Sequence, residues 1–356
     1  MRVLHVIHRW ETGGVQRHVL DLAYELRRLG VESWIAASGV APENTAGFPH
    51  VELPLYGRRG AKSAGGFLRS VRLLRETLMR EGVEILHLHS RYATLIGAYA
   101  ARRLRVRRVY TAHSMFTNLG FLPWYPRDVI CPGFAVSAAF SANVRNPERY
   151  RLHLIPHGVA IPSENPFAHR TPVAPPVFLF LGRHTEMKGG RTLIEAADLL
   201  RKRCPVPFRA RFVGDGPERA RWRKEAERRT LARIVTFHEP TSDPLSEYRS
   251  AYALVLPSLG LDALPLTLLE AMACACPVIV SDIPSLVDVI RDGENGLVFR
   301  AGDPLSLAGK MEGILIDAGK AERMAQNAFS DVRARHDLRT MANRTLDVYR
   351  AVLTAL

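Results

Sequence analysis

Acidic residues are in short supply in this chain of 356 residues: 35 Asp and Glu stand against 49 Lys and Arg, giving a formal charge of +14 and a sequence pI of about 10.1. Such a molecule is drawn to anionic surfaces, whether substrate, membrane or nucleic acid. No aromatic-rich basic motif or groove-reading module accompanies the charge, which argues against nucleic acid. Cysteine is scarce as well. Cys131, Cys204, Cys274 and Cys276 are scattered apart from one Cys-x-Cys, which lacks the two-pair spacing of a zinc site. No apolar run approaches the roughly 18 residues that a membrane span needs. The opening MRVLHVIHRW has too short an apolar core for a signal peptide, so a cytoplasmic protein is expected, with peripheral binding to the inner membrane face as an option.

Apolar residues are abundant. Hydrophobic side chains make up 47% of the chain, and the length suits two α/β domains, each with its own core. The stretch around which the rest is organised is Pro257 to Val280, PSLGLDALPLTLLEAMACACPVIV. A turn-forming Pro-Ser-Leu-Gly leads to Asp262, Pro265 opens a run of helix formers, and Pro277 cuts it off before an apolar strand. Unpaired helix N-terminal amides can hold a phosphate, and carboxylates such as Asp262 and Glu270 accept hydrogen bonds from vicinal hydroxyls. A nucleotide-sugar carries all of these groups.

Further phosphate signals recur along the chain. Residues 3 to 7 read as a buried strand, followed by Glu11-Thr12-Gly13-Gly14 and an amphipathic helix from about Val15 to Leu29, a strand–glycine–helix arrangement open to phosphate. Val31 to Ala37 reads as a second strand. Phe67 to Glu81 reads as a helix carrying Arg69, Arg72, Arg75 and Arg80; with Arg58, Arg59 and Lys62 it concentrates positive charge and suggests docking to anionic lipid. In the strand Ile85 to Ser90, His87 and His89 share a face, but no partner cluster of Asp, Glu or His follows in the sequence, so no metal site is expected. The strand Val109 to Ala112 ends at His113, and Ala135 to Ser137 reads as another short strand.

A stretch rich in Pro, Ser and Asn from Pro162 to Pro176 has linker composition. Domains are therefore expected at 1–165 and 172–337. After it, the strand Val177 to Leu181 runs into Gly182-Arg183-His184-Thr185-Glu186-Met187-Lys188-Gly189-Gly190 and a helix from about Arg191. Arg183 and Lys188 on such a loop suit a departing diphosphate. Phe212 to Pro217 has Gly214 and Gly216, but Arg219 at the third glycine position and Pro217 in the turn argue against a dinucleotide-binding oxidoreductase.

These motifs resemble family 4 retaining glycosyltransferases. The resemblance lies in Gly13-Gly14-x-x-Arg17-His18, the strand-end His113, Leu154 to Val159, Gly182-Arg183 with Lys188-Gly189, Gly214-x-Gly216-Pro217, Glu270 to Cys274, and Asn295 to Val298. Asp262 stands where the first Glu is usual, Ala275 and Glu239 where Gly is usual, and His157 where Asn is usual. The resemblance implies an α/β GT-B architecture: two Rossmann-like doubly wound domains facing across a cleft, with the helix from about Leu338 to Leu356 packed back on the first.

It further implies a metal-independent, retaining transfer of a hexose-type sugar from a nucleotide-sugar to an acceptor hydroxyl, with no cofactor. Implied catalytic residues are His113, Arg183, Lys188, Asp262 and Glu270. Donor contacts would be Gly13, Gly14, Gly182, Gly214, Gly216, His238, Leu264, Pro265 and Leu266, and acceptor contacts Arg17 and His18. The acceptor would be lipid-linked, polysaccharide or a small molecule, in cell-envelope synthesis, bound by variable loops including Trp10, Lys62 to Phe67 and Met115 to Tyr125. Two alternatives differ in chemistry: a nucleotide-sugar epimerase, and a non-catalytic nucleotide-sugar-binding or scaffold subunit.

Overall fold

The computed structural model describes residues 1–10, 13–40, 45–55, 63–114, 125–260 and 262–355. The chain divides into two compact units, one of Met1–Gly158 with Leu338–Leu356 and one of Val159–Asp337.

The first unit contains β1 (Arg2–Val6), α1 (Gly14–Arg28), β2 (Glu32–Ala37), β3 (His50–Glu52), α2 (Ala64–Arg80), β4 (Ile85–Leu88), α3 (Arg91–Ala100), β5 (Arg107–Thr111), β6 (Asp128–Cys131), α4 (Phe134–Asn143) and β7 (Arg151–Leu154). The strands pair in parallel in the order β3-β2-β1-β4-β5-β6-β7. Parallel strands covered by helices on both faces are buried throughout, and β4 and β6 are buried at every position, with the polar His87 and Asp128 satisfied by side-chain hydrogen bonds.

The second unit contains β8 (Val177–Leu181), α5 (Gly190–Arg203), β9 (Arg209–Val213), α6 (Arg219–Arg228), β10 (Val235–His238), α7 (Pro244–Ser250), β11 (Ala253–Leu256), α8 (Leu266–Ala273), β12 (Val278–Ser281), α9 (Pro284–Val287), β13 (Leu297–Phe299), α10 (Pro304–Ile316) and α11 (Ala318–Arg335). Its parallel sheet runs β10-β9-β8-β11-β12-β13. Alternation along each strand sorts the core into two layers: Phe178, Phe180, Phe212 and Val255 pack with α5 and α10, whereas Leu179, Val213 and Leu254 pack with α8 and α11. Both sheets reverse strand order beside their first strand. The switch points lie between β1 and β4 and between β8 and β11, where crevices open beyond the strand carboxyl ends.

The last helix, α12 (Leu338–Thr354), belongs to the first unit. Leu338, Met341, Leu346 and Tyr349 share a core with Val3, Leu22, Ile85 and Val109. The Tyr349 hydroxyl is hydrogen-bonded to His87 Nδ1 at 2.6 Å.

Several expectations need correction. Ala135 to Ser137 lies inside α4; the strand is the preceding Asp128–Cys131, whose four residues are all buried. The helix expected from Phe67 starts at Ala64, because Ser63 caps it by accepting from the Gly66 N–H. Pro265 is the residue before α8 rather than its first helical residue, with extended ψ of 133°. The Pro-rich stretch is no free linker: the change of unit falls at Gly158–Val159. Arg170 donates to the Tyr248 and Tyr252 carbonyls, and the Thr171 and Val173 amides donate to Arg249 and Ser250, pinning the stretch to the second unit.

Candidate active site

In the second unit the glycine loop after β8 and the loop after β11 meet at the switch point. The Lys188 Nζ donates to Asp262 Oδ2 at 2.5 Å, and the Ser258 hydroxyl donates to the same oxygen at 3.0 Å. Ser258 is itself held from behind, since the buried Ser281 hydroxyl donates to its carbonyl at 2.6 Å. The two loops are stitched by the Leu259 amide, which donates to the Met187 carbonyl at 2.9 Å. Gly189, at φ +65°, is required here: a Cβ would collide with the Pro257 carbonyl oxygen. Lys188 and Asp262 remain part-exposed, at 30% and 20%, so their charges are offered at a partly wet surface.

A second wall comes from the β9 end. The Gly182 amide donates to Val213, His184 to Asp215, and Glu218 to His184, binding the loops after β8 and β9 into one frame. Gly214, at φ +135°, sits where a Cβ would strike the Gly182 carbonyl. Beneath them His184 is buried among Phe180, Phe212, Trp222 and Phe237. Burial, then the Arg219 guanidinium, pull its pKa down to about 4. Arg183 is exposed on the same loop. His238 is exposed, its Nε2 hydrogen-bonded to Thr236 Oγ1 at 3.1 Å. Leu264 and Leu266 are buried and Pro265 half-buried at the start of α8.

Glu270 lies on α8 and forms a separate pair: the buried Tyr248 hydroxyl donates to its Oε2 at 2.9 Å. Burial and the adjacent Glu270 carboxylate push the Tyr248 hydroxyl well above its ordinary pKa, so it stays a donor. Tyr248 escaped the sequence reading, because nothing in the sequence places residue 248 beside residue 270. Cys274 and Cys276 are buried and unbridged, and burial raises the Cys274 thiol to about 11 and the Cys276 thiol in the same direction, which disfavours the thiolate of each.

The first unit brings together more than its sequence suggested. His5 on β1, His87 and His89 on and after β4, and His113 after β5 line up across the sheet, with His18 from α1 against them. His5 Nδ1 is hydrogen-bonded to His89 Nε2 at 3.1 Å, and His89 Nδ1 to His113 Nε2 at 3.1 Å. His18 lies 4.7 Å from both His113 and His157, centroid to centroid, and His157 stacks on His113. The reading that His87 and His89 lack a partner cluster is therefore corrected: the partners come from other segments. His113 is half-buried and His18 buried. Arg17 is exposed and donates to Asp21 at 2.8 Å, while Gly13 and Gly14 are exposed at the start of α1. Of the suggested acceptor segments, 115–124 and Lys62 lie outside the described residues, as do Glu11, Thr12, Arg58 and Arg59.

Comparison with known families agrees with this geometry. Residues 12–162 match the family described as Glycosyltransferase Family 4, and residues 163–331 the family described as Glycosyl transferases group 1. The chain belongs to glycosyltransferase family 4. It is 28% identical over 373 residues to a phosphatidyl-myo-inositol mannosyltransferase of Mycobacterium leprae, covering 96% of this chain and 94% of that one. A D-inositol 3-phosphate glycosyltransferase of Acidothermus cellulolyticus is 29% identical over 319 residues, covering 79% and 70%. Among solved structures, a Rickettsia africae glycosyltransferase superposes with a TM-score of 0.83 at 20% identity over 100% of this chain and 99% of that one. Anabaena HepE in complex with UDP-glucose superposes with 0.83 at 18% identity over 99% and 100%. The fold is thus GT-B, and the protein is a GT-B glycosyltransferase of family 4.

Proposed function

We propose that this glycosyltransferase moves a hexose-type sugar, with retention and without a metal at the leaving group, from a nucleoside-diphosphate sugar to a hydroxyl of an inositol-type acceptor, free or lipid-linked. The observation that carries the reading is the Lys188–Asp262–Ser258 constellation at the switch point of the second unit. In a nucleotide-sugar the β-phosphate and the ring hydroxyls lie side by side, so one ion pair can hold both. Lys188 turns a second N–H to a phosphate oxygen while Asp262 accepts from a sugar hydroxyl. Arg183 adds charge against the departing diphosphate, and amides near Leu264, Pro265 and Leu266 with the Gly182, Gly214 and Gly216 loops supply further donors. Glu270, held by Tyr248, accepts the ribose diol, and His238 lies near the base. In the first unit His113 positions the sugar ring, Gly13 and Gly14 admit close backbone approach, and Arg17 with His18 serves the acceptor.

The chemistry asks for stabilisation of a diphosphate whose charge grows as the anomeric bond breaks. A leaving phosphate oxygen takes the acceptor proton, so no protein nucleophile is invoked, and the carboxylate-pair logic of glycosidases does not apply. The inositol-type acceptor rests on the names of the two relatives above, and a lipid-linked form agrees with the cationic chain. Arg69 and exposed Leu68 on α2 support contact with an anionic membrane, although Arg72 and Arg80 pair with Glu76 and Glu81, and Arg75 caps carbonyls of residues 100 and 102.

The deciding assay measures nucleoside-diphosphate release from UDP- and GDP-sugars with inositol, inositol phosphate and phosphatidylinositol. Lys188→Ala is expected to lower kcat by ~100-fold or more, and Glu270→Ala to weaken donor affinity. Wild-type turnover in Lys188→Ala would overturn the reading; donor conversion without acceptor would point to an epimerase, and donor binding without turnover to a scaffold.

A further inference from the structure

The first unit holds a histidine cluster of which sugar transfer, as proposed above, uses only His18 and His113. Five imidazoles, from His5, His18, His87, His89 and His113, gather at the switch point between β1 and β4, and they form two overlapping triads whose ring nitrogens lie within 4.8 Å of one another: His5, His87 and His89, and His18, His89 and His113. The first triad is committed to the fold. His87 Nδ1 is hydrogen-bonded to Tyr349 and Nε2 to Thr111 at 2.7 Å, so neither nitrogen is left for another ligand.

The second triad is different. His18 is 5% exposed, and neither of its ring nitrogens has a hydrogen-bond partner among the described residues. A buried polar group in that state is costly unless something else satisfies it. His89 Nδ1 and His113 Nε2 face each other at 3.1 Å. Two nitrogens bound tetrahedrally at ~2.0–2.1 Å would sit ~3.3 Å apart, so this pair is already at ligating separation.

We infer that His18, His89 and His113 form a binding site for a late first-row divalent ion of the Zn2+ class, with the fourth position open on the half-buried His113 side. Three imidazoles and no carboxylate or thiolate select Zn2+, Ni2+, Co2+ and Cu2+ over Mg2+ and Ca2+. With Nδ1 on the ion, His89 carries its proton on Nε2 and donates it to His5 Nδ1 at 3.1 Å, the outer hydrogen bond that fixes a ligand tautomer. Two of the ligands, His18 and His113, also carry roles in the transfer proposed above, so an ion held here is expected to compete with sugar or acceptor and takes part in no step of the transfer.

The test is equilibrium dialysis of the full chain against Zn2+ at pH 7.5, with Co2+ titration followed by visible absorption. One ion per chain and the intense bands of tetrahedral or five-coordinate Co2+ are expected, together with a Tm that rises with Zn2+ concentration. His18→Ala and His113→Ala should each weaken binding by at least ~100-fold, whereas exposed His169→Gln should not change it. Absence of binding by the wild type, or unchanged affinity in folded His18→Ala and His113→Ala, would overturn the site. Should a variant fail to fold, 15N-histidine spectra of the wild type decide: Zn2+ must shift the ring nitrogens of the triad, and shifts confined to His153, His169 and His238 would refute it.

Discussion

His184 shows how much one side chain can tie to the solvent. It is fully buried among four aromatic rings under the glycine loops after β8 and β9, and its folded pKa is about 4 against ~6.5 in an unfolded chain. Between those values the unfolded state takes up the proton and the folded state does not. The stabilisation is therefore complete above pH ~6.5 and lost as the pH falls towards 4. For this residue the loss from pH 7 to pH 5 is about 2 kcal/mol. Urea unfolding should show His184→Leu losing about 2 kcal/mol less than the wild type over that interval. An identical pH dependence would mean that His184 takes up its proton as readily in the folded protein as in the unfolded chain. At this scale the sequence was informative about charges on one loop and silent about pairs across loops. Arg183, Lys188 and Asp262 could be singled out because their glycine and proline neighbours mark them. Tyr248, Ser258 and Ser281 could not, since their roles come only from folded partners.

Among the elements, α8 carries a visible compromise at its end. Cys276 N–H donates to the Ala271 carbonyl and Ala275 N–H to the Met272 carbonyl, the paired bonds of a Schellman cap, and Ala275 takes φ +53° to make them. A left-handed L-residue costs ~1–2 kcal/mol, and its buried methyl returns about 0.8 kcal/mol. Ala275→Gly should therefore raise stability by roughly 0.5 kcal/mol, read as a higher urea midpoint at unchanged slope; a lower midpoint would show that the methyl matters more than the strain. Elements bounded by glycine, proline or long apolar runs were legible in the sequence: β1, α1, β8, α5 and β12 fall within one or two residues of expectation. β6 was not, because Asp128–Cys131 is only four residues long and opens on a charged residue, while the neighbouring Ala135-Val136-Ser137 is also mostly apolar but lies in a helix. The histidine cluster was hidden for a related reason. Its members are spread from residue 5 to residue 113, and only the order β1-β4-β5 in the sheet makes them neighbours.

For the whole molecule, the excess of cations is the property with the longest reach. At a formal charge of +14 the chain should co-sediment with vesicles containing phosphatidylglycerol or phosphatidylinositol and not with neutral ones, and the bound fraction should fall steeply between 50 and 500 mM salt. Equal sedimentation with neutral vesicles, or no salt dependence, would exclude an electrostatic attraction to lipid. Four-tenths or more of the chain falls to each compact unit, yet the assignment of segments to them is not sequential. The helix from Leu338 to Thr354 follows the entire second unit but completes the core of the first, down to the hydrogen bond between Tyr349 and His87. During synthesis, the amino-terminal sheet must consequently wait on the ribosome with one greasy flank uncovered, while residues 159–337 emerge and can finish folding ahead of it. The half of this enzyme made first is the half that matures last.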